Sequence, residues 1–145
     1  LMLGNVPEFL VLTYGAKRAG LMVTPLSIHL RPREVAHVLA DSGAKLLVTE
    51  PALRELASAM PAVPTIETGA ALDAALAGQP TNGPEGERPI GREFLYSSGT
   101  TGLPKGIRRP LIPYADRLKP EFDMSWKGIY GFGADTRYLS PAPLY

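Results

Sequence analysis

Tyr96-Ser97-Ser98-Gly99-Thr100-Thr101-Gly102-Leu103-Pro104-Lys105-Gly106 is the stretch on which the reading of this chain turns. Residues 97–106 hold four hydroxyls, three glycines and one lysine, directly after the strand-like Glu93-Phe94-Leu95-Tyr96. Glycine lets the backbone take positive φ and approach a ligand closely, so successive N–H groups converge on one anion. The hydroxyls of Ser97, Ser98, Thr100 and Thr101 add side-chain donors, and Lys105 adds a compact positive charge suited to a phosphate oxygen. Strand end, glycine loop and lysine together predict a polyphosphate cradle.

A Walker A loop, G-x-x-x-x-G-K-[ST], is the first comparison for such a cradle. Counted from Gly99, its sixth position is Pro104 and its eighth is Gly106, so the hydroxyl that holds Mg²⁺ after the lysine is missing. A Walker loop also opens a long helix, which Arg108-Arg109-Pro110 and Pro113 disfavour. The Walker reading fails.

Outward from the loop, the first half alternates helices and short strands. Pro7 to Ala19 is mostly apolar and is stopped by Gly20, and Leu21 to Leu26 reads as a brief buried strand. Pro32 opens a helix whose apolar face is Val35, Val38 and Leu39, closed by Gly43. Lys45 to Thr49 is the next strand, and Pro51 opens a helix with Leu53, Leu56, Ala57 and Met60 in helical spacing. Thr65 to Thr68 reads as a third strand and Ala70 to Ala77 as a short helix. This order predicts an α/β fold, a mostly parallel sheet with packed helices. Beyond the loop the pattern is poor until Arg137 to Ser140, another strand.

Three parts are expected: 1–78 as the helix–strand half, 79–91 as a Pro/Gly-rich linker, and 92–145 around the loop and the following strand. The chain has 145 residues, 45% hydrophobic and 20% charged, enough to bury a core. Gly 15 and Pro 15 make up about 21% of it. No apolar run approaches the ~20 residues of a membrane-spanning helix. The absence of cysteine excludes disulfides, thiolate nucleophiles and Cys-ligated metals, and is compatible with the cytoplasmic location we expect. Net charge is +1, split as −2 over residues 1–90 and +3 over 91–145. That gives no broad nucleic-acid face but suits one local anion site.

The loop resembles the phosphate-binding signature of the adenylate-forming superfamily: acyl-CoA synthetases, luciferases and the adenylation domains of peptide synthetases. Their pattern, aromatic then [ST]-[ST]-G-[ST]-T-G-x-P-K-G, is matched throughout residues 96–106. Asn5 to Phe9, Gly15 to Gly20, Pro25-Leu26 and Glu34 to Lys45 are similar to the stretch upstream of that signature. Pro141 to Tyr145 resembles the family's next motif, which normally continues into a histidine, and Ile107-Arg108-Arg109-Pro110 departs from the hydrophobic run many members carry. With no initiator methionine either, the chain is expected to be part of the N-terminal domain of a larger enzyme and inactive by itself.

The resemblance implies a ligase using ATP, Mg²⁺ and coenzyme A on a small-molecule carboxylic acid, expected to be a fatty acid. It assigns Lys105 the catalytic role, holding the β- and γ-phosphates as charge builds on departing pyrophosphate. It assigns nucleotide binding to Ser97, Ser98, Gly99, Thr100, Thr101, Gly102, Pro104, Lys105 and Gly106, and places Ser97 near the metal. Alternatives are transfer of an amino or aryl acid to a carrier-protein thiol, and a non-catalytic nucleotide-binding module.

Other residues are given bland readings. Glu34, His37 and Asp41 share a helical face but read as its wet side, without the second histidine of a metal site. His29 is given no role. Arg108 and Arg109 read as solvated charges, and Phe122, Met124, Trp126, Tyr130 and Phe132 as core rather than an acyl pocket. Asp116 and Asp123 lack the spacing of an acid–base pair.

Overall fold

The computed structural model describes residues 1–58, 63–97, 102–117, 129–139 and 142–144. Met60, Ser98 to Thr101, Phe122, Asp123, Met124, Trp126, Ser140, Pro141 and Tyr145, all named from the sequence, lie outside these described residues.

Helix α1 spans Pro7–Arg18 and α2 spans Pro32–Ser42, each with proline in the first turn, where a missing N–H costs nothing. Strand β1, Leu47–Thr49, is fully buried. A 3₁₀ turn at Pro51–Leu53 leads into α3, Arg54–Ser58, followed by β2, Thr65–Glu67, and α4, Ala70–Leu76. Strands β3, Leu95–Ser97, and β4, Lys105–Ile107, come next, then α5, Tyr114–Arg117.

β1 and β2 pair in parallel, Val48 opposite Ile66, and Met2 adds a parallel bridge to Thr49 on the other side of β1. Helices between parallel partners are what the alternating pattern requires, and the result is a partial α/β domain. The predicted strand at Leu21 to Leu26 is reduced to one parallel bridge, Val23 to Glu93. Pro25 is part of the reason, because it has no N–H with which to continue a ladder.

The core gathers Met2, Leu26, Val35, Val38, Leu39, Leu47 and Ala57, with Tyr96 packed against it. Burying each Val, Leu or Met here is worth about 1.5–3 kcal/mol. The apolar face read from α2 is therefore the one that meets the sheet. α1 is tied down differently: the carbonyl of Lys17 accepts the Gly91 amide at 2.8 Å, and its ammonium pairs with Glu93 at 2.7 Å. That pair and the Val23 bridge join the first third of the chain to the segment entering β3.

Two further expectations are corrected. Arg137 to Leu139 forms no strand among the described residues, and Tyr138 and Leu139 are 75% and 84% exposed. Tyr130 is 59% exposed, and with Phe132 and Tyr138 it makes a surface ring cluster rather than core. Among the described residues, no helix is long and apolar enough to cross a membrane.

Candidate functional site

The two strands that flank the glycine-rich segment pair with each other as the arms of a β-hairpin. β3 and β4 are antiparallel, with Leu95 opposite Ile107, Tyr96 opposite Gly106 and Ser97 opposite Lys105. The sequence pattern gives no sign of the return strand, which is three residues long, with a central glycine and Arg108-Arg109-Pro110 behind it.

Register decides which side chains meet. Residues directly opposite in an antiparallel pair share a face, and neighbours along a strand alternate faces. Ser97 and Lys105 therefore project from one face of the hairpin and Tyr96 from the other. Both Ser97 and Lys105 are exposed, and the side chain of neither makes a hydrogen bond or ion pair among the described residues. A hydroxyl and an ammonium left available side by side suit a phosphate group. Gly102 has φ +95°, a conformation that favours glycine and turns the loop back toward Pro104.

The opposite face docks on α2. The Tyr96 hydroxyl donates to Asp41 Oδ2 at 2.5 Å, and the His37 ring nitrogen Nε2 lies 3.0 Å from the Pro104 carbonyl oxygen. Burial, and after it the bond to Asp41, pushes the Tyr96 phenol above its ordinary range, so it stays a donor at neutral pH. The polar face of α2 is thus the hairpin's seat, which corrects its reading as merely wet. Glu34 accepts the Arg31 amide at 2.7 Å, capping the helix.

Phe94 and Tyr96 rings lie 5.1 Å apart on this same face, with the Arg108 guanidinium 5.9 Å from the Phe94 centroid. A cavity of about 320 Å³ opens beside the hairpin, walled by Leu26, Leu30, Val38, Tyr96, Leu103 and Pro104. Among the described residues no three His, Asp or Glu gather as a metal site. Among the described residues of the glycine-rich segment, Ser97 carries an exposed hydroxyl.

The chain belongs to the AMP-binding enzyme family, whose match runs over residues 1–145. It is 32% identical to a 3-hydroxybenzoate–CoA ligase of Aromatoleum sp. (strain CIB), over 83% of this chain and 26% of that protein. It is 33% identical to the fatty acid–[acyl-carrier-protein] ligase ScoC of Streptomyces coeruleorubidus, over 74% of this chain and 22% of that one. Among solved structures it resembles the inhibitor-bound N-terminal domain of FACL13 from Mycobacterium tuberculosis, with TM-score 0.63 and 27% identity, covering 78% of this chain and 30% of that one. The chain spans about a quarter of the length of the curated relatives it matches.

Proposed function

We propose that this chain supplies the phosphate-holding part of a cytoplasmic ligase that activates a carboxylic acid with ATP and transfers the acyl group to coenzyme A. The observation that carries the reading is the pairing of Ser97 with Lys105 on one exposed face of the hairpin. Membership of the family supports it.

The chemistry follows from the leaving group. A carboxylate oxygen attacks the α-phosphorus of ATP, the bond to the β-phosphate breaks, and pyrophosphate departs with its electron pair. The coenzyme A sulfur then attacks the acyl carbon, and AMP leaves. Lys105 holds the β- and γ-phosphates where negative charge accumulates, and the hydroxyl of Ser97 lies beside it for the Mg²⁺ that accompanies the phosphates. Backbone N–H groups at Gly99, Gly102 and Gly106, with the hydroxyls of Ser98, Thr100 and Thr101, complete the cradle in this reading, and Pro104 stiffens its exit. The three-part division at 78 and 91 stands as part of the same proposal.

A fatty acid is the proposed substrate. The second reading, transfer to a carrier-protein thiol, is favoured by the resemblance to a fatty acid–[acyl-carrier-protein] ligase. Acid-dependent exchange of pyrophosphate into ATP by the full-length protein tests the activation step, with fatty and hydroxyaryl acids compared. Lys105→Ala should slow exchange by at least about 10²-fold, the scale of one lost charge-stabilising group, with little change in thermal unfolding. Exchange at the wild-type rate in that variant would remove the phosphate-holding assignment. Coenzyme A and a carrier protein, supplied in turn as acceptor, separate the two readings.

A further inference from the structure

We propose that His37 and Asp41 are positioning residues for Lys105, an assignment that rests on the phosphate-holding reading of the hairpin. They stand one helical turn apart on α2 and project from the same face. Asp41 accepts the Tyr96 hydroxyl on β3, and His37 reaches the Pro104 carbonyl at the entry to β4. A carbonyl oxygen only accepts, so His37 Nε2 carries the hydrogen and donates it. One contact grips each arm of the hairpin, from 55 and 67 residues away in sequence.

The geometry gives these contacts leverage on the lysine. The Pro104 carbonyl and the Lys105 amide nitrogen belong to one planar peptide unit, so orienting that carbonyl sets the direction in which Lys105 leaves the loop. On the other arm, Tyr96 immediately precedes Ser97, the register partner of Lys105. The polar face of α2 therefore fixes both feet of the loop that presents the hydroxyl and the ammonium. Catalysis by position is sensitive to such support, since a displacement of about 1 Å can cost about 10²-fold.

The test uses the full-length protein in two half-reactions. Pyrophosphate exchange depends on holding the β- and γ-phosphates, whereas conversion of preformed acyl-adenylate and coenzyme A to acyl-CoA does not. His37→Leu and Asp41→Ala are expected to lower kcat/KM for ATP in exchange about tenfold, the scale of one or two lost hydrogen bonds. KM for the acid and the second half-reaction should stay near wild type. His37→Gln retains a donor at similar reach, and Asp41→Asn retains an acceptor, so both should recover to within about threefold. The ratio of the two half-reactions is independent of how much protein is folded, so even a poorly folding variant reports the effect.

Three results would overturn the proposal: exchange unchanged in both truncated variants, equal losses in both half-reactions, or conservative variants as impaired as the truncations. Lys105→Ala separates this proposal from the one beneath it. Lost exchange in that variant with intact exchange in His37→Leu removes only the positioning role. Intact exchange in Lys105→Ala removes the phosphate-holding reading itself.

Discussion

Gly106 stands opposite Tyr96 in the hairpin, and the rings of Phe94 and Tyr96 occupy the space a side chain at 106 would need. A Cβ there would sit 2.7 Å from Phe94 Cε2 and 3.1 Å from Tyr96 Cζ. Phe94 is only 6% exposed, so its ring cannot swing into solvent to make room. Gly106→Ala should therefore destabilise the full-length protein by about 1–3 kcal/mol, the usual cost of overpacking. It should also weaken exchange, because the displaced Tyr96 ring carries the hydroxyl that reaches Asp41. A wild-type urea midpoint together with wild-type exchange would show that the rings are not tightly held.

From the sequence that glycine reads as part of the phosphate cradle, and nothing in the pattern foreshadows its packing against two rings. Periodicity reports which face of an element is apolar, so α2, β1, β2 and the short α4 are legible. It says nothing of polar partners far away in sequence, which is why His37 and Asp41 read as solvent-facing. The return strand escapes for a different reason. Lys105-Gly106-Ile107 is too short to show alternation, and only its register with β3 defines it. Leu21 to Leu26 looks like a strand when apolar residues alone are counted, but its partners are divided: Val23 bridges Glu93, while Thr24 and Leu26 bond Leu1.

Thr49 is fully buried in β1, and its hydroxyl meets no hydrogen-bond partner among the described residues. Burying an unbonded hydroxyl is unfavourable, and valine has nearly the same shape without it. Thr49→Val should be neutral or stabilising by up to about 1 kcal/mol. Thr49→Ser keeps the hydroxyl but leaves a methyl-sized gap, and should destabilise by about 1 kcal/mol. Urea unfolding of both variants checks the order. A greater loss for valine than for serine would mean that the hydroxyl is bonded in the folded protein.

Arg54 grips Glu67 through two parallel hydrogen bonds, Nε to Oε1 at 2.5 Å and Nη2 to Oε2 at 2.6 Å. The forked geometry is good, and it holds the arginine above and the glutamate below their ordinary pKa values. It lies on the surface, however, where water and salt screen both charges and ordering two long side chains costs entropy. Arg54→Ala should therefore shift the urea midpoint less than Thr49→Ser, and the shift should shrink in 1 M salt, where the screening length is about 3 Å. A larger effect than that of the core variant would show the pair to be tied into packing between α3 and β2.

Lys17 and Glu93 make the pair that joins the end of α1 to the entry of β3, at 2.7 Å and with side chains 25% and 39% exposed. Partial burial pushes the Glu93 carboxyl up, but the Lys17 hydrogen bond, a backbone hydrogen bond and the charges of Lys17 and Arg92 outweigh it, leaving the group below its ordinary value. A carboxyl whose pKa is depressed in the folded state adds stability above its unfolded pKa, about 4.3, and loses it as pH falls through the lower folded value. Glu93→Gln should therefore cost stability at pH 7, by less than about 1 kcal/mol for so exposed a pair. Below the folded value both proteins carry a neutral group at 93, and the difference should close. Urea midpoints of wild type and variant, followed from pH 7 down to pH 3, give the comparison. A difference that persists unchanged at the acid end would mean that Glu93 acts through shape and hydrogen bonding rather than through its charge on Lys17.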